Sequence, residues 1–136
     1  MQEVVPHKET FFKVYVLGEQ MFWNVQKSLP ESYFDSDAVR FDSGDRFKAE
    51  ECKFFEAVCN GELVLPFKEE FIQRVVSEMG DFTGLSLFGL DVVVHSETGD
   101  HFVVDLNYFT SYNFVSDEVV GKAFRDLALK KCSHLL

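Results

Sequence analysis

Residues 10–27, TFFKVYVLGEQMFWNVQK, form two apolar-rich runs on either side of Gly18-Glu19. That pattern predicts two strands joined by a tight turn. A slower period follows. Phe67, Phe71, Ile72, Val75, Val76 and Met79 recur at helical spacing, which predicts a helix opening at Pro66 and stopping at Gly80. GLSLFG then leads into DVVVHSETGDHFVVDLN (91–107), two apolar runs around a polar turn, hence a second hairpin. Ser116 before Asp117 and Glu118 predicts another helix start. Val119, Val120, Ala123, Phe124 and Leu127 form its apolar face, and Lys130 and Lys131 suit its end. Between the first hairpin and the first helix, residues 28–51 are rich in Ser and Asp and read as loop. Residues 47–59 have weak helical spacing, and ELVLP (62–66) reads as a short extended piece. Strands, helix, strands, helix is an α+β pattern, a mostly antiparallel sheet with helices packed on one face.

Composition narrows the function. The chain has 136 residues, 46% of them apolar and 16 of them Phe, which is enough for one domain with a real core. Its net charge of −10 disfavours nucleic acid and anionic membranes, since neither is attracted to an acidic surface. No apolar run approaches a membrane span, and MQEVVPHKET lacks the basic start and apolar stretch of a signal peptide. Cys52, Cys59 and Cys132 are odd in number and contain no CxxC pair, so neither a disulfide framework nor a zinc site is indicated. The expected setting is reduced and cytoplasmic.

The second hairpin holds the candidate chemistry. With Glu97-Thr98-Gly99 as a three-residue loop, Ser96 pairs with Asp100 and Asp91 falls opposite Asp105. Asn107 lies two residues further on the same face. Two bare carboxylates about 5 Å apart at Cβ repel. A hard dication removes that repulsion, because Mg²⁺ takes one or two carboxylates and fills its remaining positions with water and phosphate oxygens. The arrangement therefore suits a metal–nucleotide complex. The other reading is that both acids lie on a wet face or at strand ends, since the pairing depends on one loop length.

Three motifs carry a resemblance. SLFGLDVVVHSETGDHFVVDLNYF is similar to the last hairpin of the ATP-grasp fold in the inositol 1,3,4-trisphosphate 5/6-kinase family, also called the inositol-tetrakisphosphate 1-kinase family. QEVVPHKETFFKVYVLGE resembles that family's QEFxNHxxxxFKVYVxGE, and VQKSLP its VxRxSLP. The resemblance covers nearly the whole chain and is weakest over 31–62. It implies that residues 1–136 are a partial ATP-grasp domain, its C-terminal part. It further implies Mg²⁺ held by Asp91, Asp105 and Asn107, with ATP as co-substrate and an inositol polyphosphate as acceptor. Gln2, Glu3, Val4 and Val5 resemble the hinge strand that holds adenine. Lys13 resembles a lysine reaching ATP or substrate, Ser28 a serine contacting nucleotide, and His7 and Asn107 residues touching the inositol phosphate. As residues alone, Lys13 also reads as a lysine reaching water between Phe11 and Tyr15, and His7 as a loop histidine.

The chain departs from the family where FPGY becomes Phe109-Thr110-Ser111-Tyr112, and where a later glycine becomes Phe114. Side chains there obstruct close approach of substrate to the backbone. Family members also carry an N-terminal domain and a first ATP-grasp half before the QEVVPH-like segment, so an incomplete chain is expected, with its activity alone left open. An uncovered sheet face would then favour self-association. The expected activity is phosphoryl transfer from ATP to an inositol hydroxyl. Its rivals are a non-catalytic truncated paralogue acting as a binding or dimerising module, and an ATP-grasp ligase.

Overall fold

The computed structural model describes residues 5–28 and 67–133. Strands β1 (Thr10–Leu17) and β2 (Gln20–Lys27) form the first hairpin. Helix α1 (Glu69–Thr83) follows, then β3 (Leu87–Val94), β4 (His101–Asn107) and helix α2 (Asp117–Cys132). The four strands make one sheet in the order β2-β1-β3-β4, every neighbouring pair antiparallel. The α+β class and both hairpins are those the sequence pattern predicts. The expectations for 29–66 and for Cys52 and Cys59 lie outside the described residues, as do Gln2, Glu3 and Val4.

Strand alternation sorts the core. Phe12, Val14, Val16, Phe88, Leu90, Val92 and Val94 face Ile72 and Val76 of α1, all buried. Each such side chain contributes on the order of 1.5–3 kcal/mol by leaving water. The intervening residues point the other way. There Tyr15 and Leu17 meet Tyr112 and Ala123, with Val120, Phe124 and Leu127 of α2 packed around them. The helices therefore take a face each instead of sharing one, because β1 is apolar on both sides. Helix α2 covers only the end of its face nearest the β1–β2 turn: Leu127 lies beside Gly18, and Lys130 pairs with Glu19.

Helix α1 runs past Gly80, where the sequence predicted its stop. Gly84 ends it instead, at φ 71° and with its N–H donating to the Gly80 carbonyl. That left-handed residue satisfies a helix-end carbonyl at no steric cost, which Gly80 inside the helix cannot do. Helix α2 begins as expected, with the Ser116 side chain accepting from the Val119 N–H. No described helix is long and apolar enough to cross a membrane.

Candidate functional site

The part of the α2-side face that α2 leaves uncovered is polar, and strand register assembles it. The two-residue β1–β2 turn sets Asn24 opposite Lys13. Pairing of β1 with β3 sets Asp91 on the other side of Lys13, and β4 sets Asp105 opposite Asp91. Asn24, Lys13, Asp91 and Asp105 thus form a straight row across all four strands. The next row towards α2 is Phe22, Tyr15, Gly89 and Asn107.

Asp105 reaches this face by a compensation. His95 donates its N–H to the Asp100 carbonyl, so the loop is Ser96–Gly99, four residues instead of three. Unbroken pairing from there sets Val94 against His101 and Val92 against Val103, which would put Val104 opposite Asp91. A β-bulge between Asp91 and Val92 inserts one residue, Val104, and restores Asp105 to its place. A one-residue slip would turn the carboxylate to the α1 face.

Hydrogen bonds tie the row together. Lys13 Nζ donates to both Asp91 oxygens, at 3.2 and 3.4 Å. The pair is partly covered, with side chains 32% and 20% exposed, so water screens it less than a surface pair. Asn107 Nδ2 donates to Asp105 Oδ2 at 3.0 Å, and Gln26 Nε2 to Asn24 Oδ1 at 3.1 Å. Among the described residues no three His, Cys, Asp or Glu gather into a cage for a metal. The donor set is two carboxylates and one amide, oxygen only, with Asp105 exposed. It fits a hard cation that keeps water or phosphate ligands, and not a softer metal wanting His or Cys.

A wall rises beside the row. Burial pushes the Tyr15 phenol above its ordinary pKa, against the pull of Lys13 and of the neighbouring Thr110 side chain. Tyr112, held at φ 51°, donates from its hydroxyl to the Val16 carbonyl at 2.8 Å.

The other candidates, His7 before β1 and Ser28 after β2, lie at the far end of the sheet. His7 is buried, 8% exposed. The Val5 carbonyl accepts from His7 Nδ1 at 2.6 Å. In the neutral ring this leaves Nε2 to accept from the Ser28 hydroxyl at 2.7 Å. The Ser96 N–H donates to the Pro6 carbonyl, tying this segment to the β3–β4 loop. Val5 is in no strand, and the rest of the expected hinge, Gln2 to Val4, lies outside the described residues. The structure therefore gathers Lys13, Asp91, Asp105 and Asn107 in one place and His7 with Ser28 in another. The reading from sequence missed Asn24, although the Gly18-Glu19 turn places it opposite Lys13 by simple counting.

Comparison with known proteins agrees with the motifs. The model of the inositol 1,3,4-trisphosphate 5/6-kinase ATP-grasp domain matches residues 1–121. Inositol-tetrakisphosphate 1-kinase 6 of Oryza sativa subsp. indica is 29% identical over 143 residues, covering 93% of this chain and 24% of the rice protein. Inositol-tetrakisphosphate 1-kinase of Danio rerio is 30% identical over 123 residues, covering 86% of this chain and 31% of that protein. Inositol-tetrakisphosphate 1-kinase 1 of Arabidopsis thaliana is 28% identical over 144 residues, covering 96% and 44%. The chain thus spans from about a quarter to less than half of the relatives it matches. With the domain model covering most of its length, the chain belongs to the inositol 1,3,4-trisphosphate 5/6-kinase ATP-grasp family.

Proposed function

We propose that residues 1–136 form the C-terminal part of the ATP-grasp domain of a cytoplasmic kinase that transfers the γ-phosphate of ATP to an inositol polyphosphate hydroxyl. The observation that carries this reading is the acidic row: Asp91 opposite Asp105, Asn107 on the same face and Lys13 bonded to Asp91. In this reading Asp91, Asp105 and Asn107 hold Mg²⁺, whose charge offsets that of the transferring phosphates. Lys13, already beside the carboxylates, supplies a cation to phosphate oxygens. Backbone groups of Gln2 to Val5 hold adenine, Ser28 contacts the nucleotide, and His7 with Asn107 contacts the inositol phosphate. The hydrogen bond between His7 and Ser28 supports a meeting of acceptor and nucleotide sides.

A nucleotide titration with and without Mg²⁺ tests the metal assignment. Asp105→Asn should weaken Mg²⁺-dependent ATP binding roughly tenfold or more, as loss of a ligand or its partner does elsewhere. Unchanged binding would overturn the assignment. Transfer of label from ATP to inositol phosphate separates a kinase from a ligase, which releases phosphate only when given a carboxylate and an amine.

A second reading, a non-catalytic binding or dimerising module, draws support from Thr110-Ser111 in place of the family's Pro-Gly and from exposed Phe102, Val103, Tyr108 and Phe109. Normal Mg²⁺-nucleotide binding with no label transfer by the whole protein would favour it.

A further inference from the structure

We infer that Gly89 and Thr110 form a clasp that positions Asn107 on the acidic face. Gly89 sits directly across from Asn107 on β4 and from Tyr15 on β1, two residues before Asp91 on the same face. It is buried, and the space its missing side chain leaves is already taken. A Cβ there would lie 3.3 Å from Thr110 Cβ, 3.5 Å from Thr110 Cγ2 and 3.4 Å from the Val14 carbonyl oxygen. Thr110 therefore seats directly on the bare backbone of β3.

That seat matters because of where Thr110 comes in the chain. Strand β4 ends at Asn107, and the next two residues, Tyr108 and Phe109, are 73% and 74% exposed. Thr110 is the next residue to touch the sheet, through its Cβ and Cγ2 at Gly89. Tyr112 adds a second anchor at the Val16 carbonyl. The direction in which the chain leaves β4 is thus set three residues after Asn107, and with it the angle at which the Asn107 amide meets Asp105. Gly89 and Thr110 are positioning residues: neither supplies a ligand atom, and each acts through Asn107. The consequence for Mg²⁺ rests on the metal reading above, whereas the effect on the amide does not.

The test uses the whole 136-residue chain. It compares wild type, Gly89→Ala, Thr110→Gly and the double variant Gly89→Ala/Thr110→Gly by three readouts. These are the side-chain amide resonances of Asn107, a Mg²⁺ titration followed at those resonances, and thermal unfolding. Gly89→Ala should shift the Asn107 amide signals and weaken Mg²⁺ binding several-fold, leaving the Asn24 side-chain amide in place. The double variant, which removes the colliding Thr110 side chain, should bring both readouts back towards wild type, the non-additivity expected of residues in contact. The inference is overturned if Gly89→Ala leaves the Asn107 amide unmoved, even with lowered thermal stability. It is equally overturned if the double variant is no closer to wild type than Gly89→Ala. Amide signals that shift and recover, in a chain whose wild type shows no response to Mg²⁺, uphold the clasp and remove the metal reading.

Discussion

His101 shows how much can hang on one proton. Its Nδ1 donates to the Gly99 carbonyl and its Nε2 accepts from the Lys68 N–H, each at 3.0 Å. That second bond ties β4 to the residue just before α1, while the ring lies against Phe67 and Phe71. A protonated ring has no acceptor left for Lys68. Burial holds the His101 pKa below its ordinary value; Lys68 adds to this, and the Gly99 carbonyl and Asp100 oppose it. Glu69 and Glu70, in the first turn of α1, are the other charges on that element nearby. Because the folded state resists the proton more than the unfolded chain does, stability is complete above the unfolded value of about 6.5. It falls as pH drops through that value towards the lower folded one. Urea unfolding between pH 7.5 and 5 should show this decline in the wild type and a flatter profile in His101→Gln. Parallel profiles would mean that the loss comes from other groups.

At the scale of elements, the bulge in β4 governs the site. Inserting an alanine after Val104 should abolish Mg²⁺-dependent nucleotide binding, because with the bulge kept Asp105 then falls opposite Leu90 and faces α1. Val104→Ala keeps the residue count and should leave binding close to wild type in the same titration. Equal losses in the two variants would show that the Val104 side chain, not the register, is what matters. The bulge also explains what could be read in advance. The facing of Asp91 and Asp105 was legible, but by a three-residue loop and an unbroken ladder, two departures that cancel. Nothing in FVVDLN marks the extra residue, since the bulge carries no glycine and Val103 and Val104 look alike in any hydrophobic pattern. The ends of α1 were blurred for a similar reason: Gly80 and Gly84 both look like stops, and only backbone conformation separates them. The contact of His7 with Ser28 joins residues 21 positions apart through the ends of two strands, which periodicity does not encode. The α+β order and the second helix cap were legible because local chemistry alone specifies them.

For the molecule as a whole, apolar surface and net charge pull in opposite directions. Phe102, Val103 and Val104 on the edge strand, then Tyr108 and Phe109 just after it, are all exposed, two nearby apolar runs of the kind that marks a contact surface. A net charge of −10 keeps copies of the chain apart. Self-association should therefore grow with salt, which screens the repulsion and leaves the apolar attraction. Sedimentation velocity at low and high ionic strength should show it, and Tyr108→Ser/Phe109→Ser should suppress it; a single salt-independent species would refute the expectation. The ion pair at the heart of the site carries a further consequence. Lys13 and Asp91 are 78 residues apart, and neither hairpin by itself contains more than half of the row. No early, locally folded state can bind what the complete sheet binds, because the β1–β3 ladder closes a long loop and such pairings form late. A ligand of this row would bind the finished fold alone, adding about 2.7 kcal/mol to its stability at a hundred times its Kd. Joining the two hairpins is thus the folding step on which recognition waits.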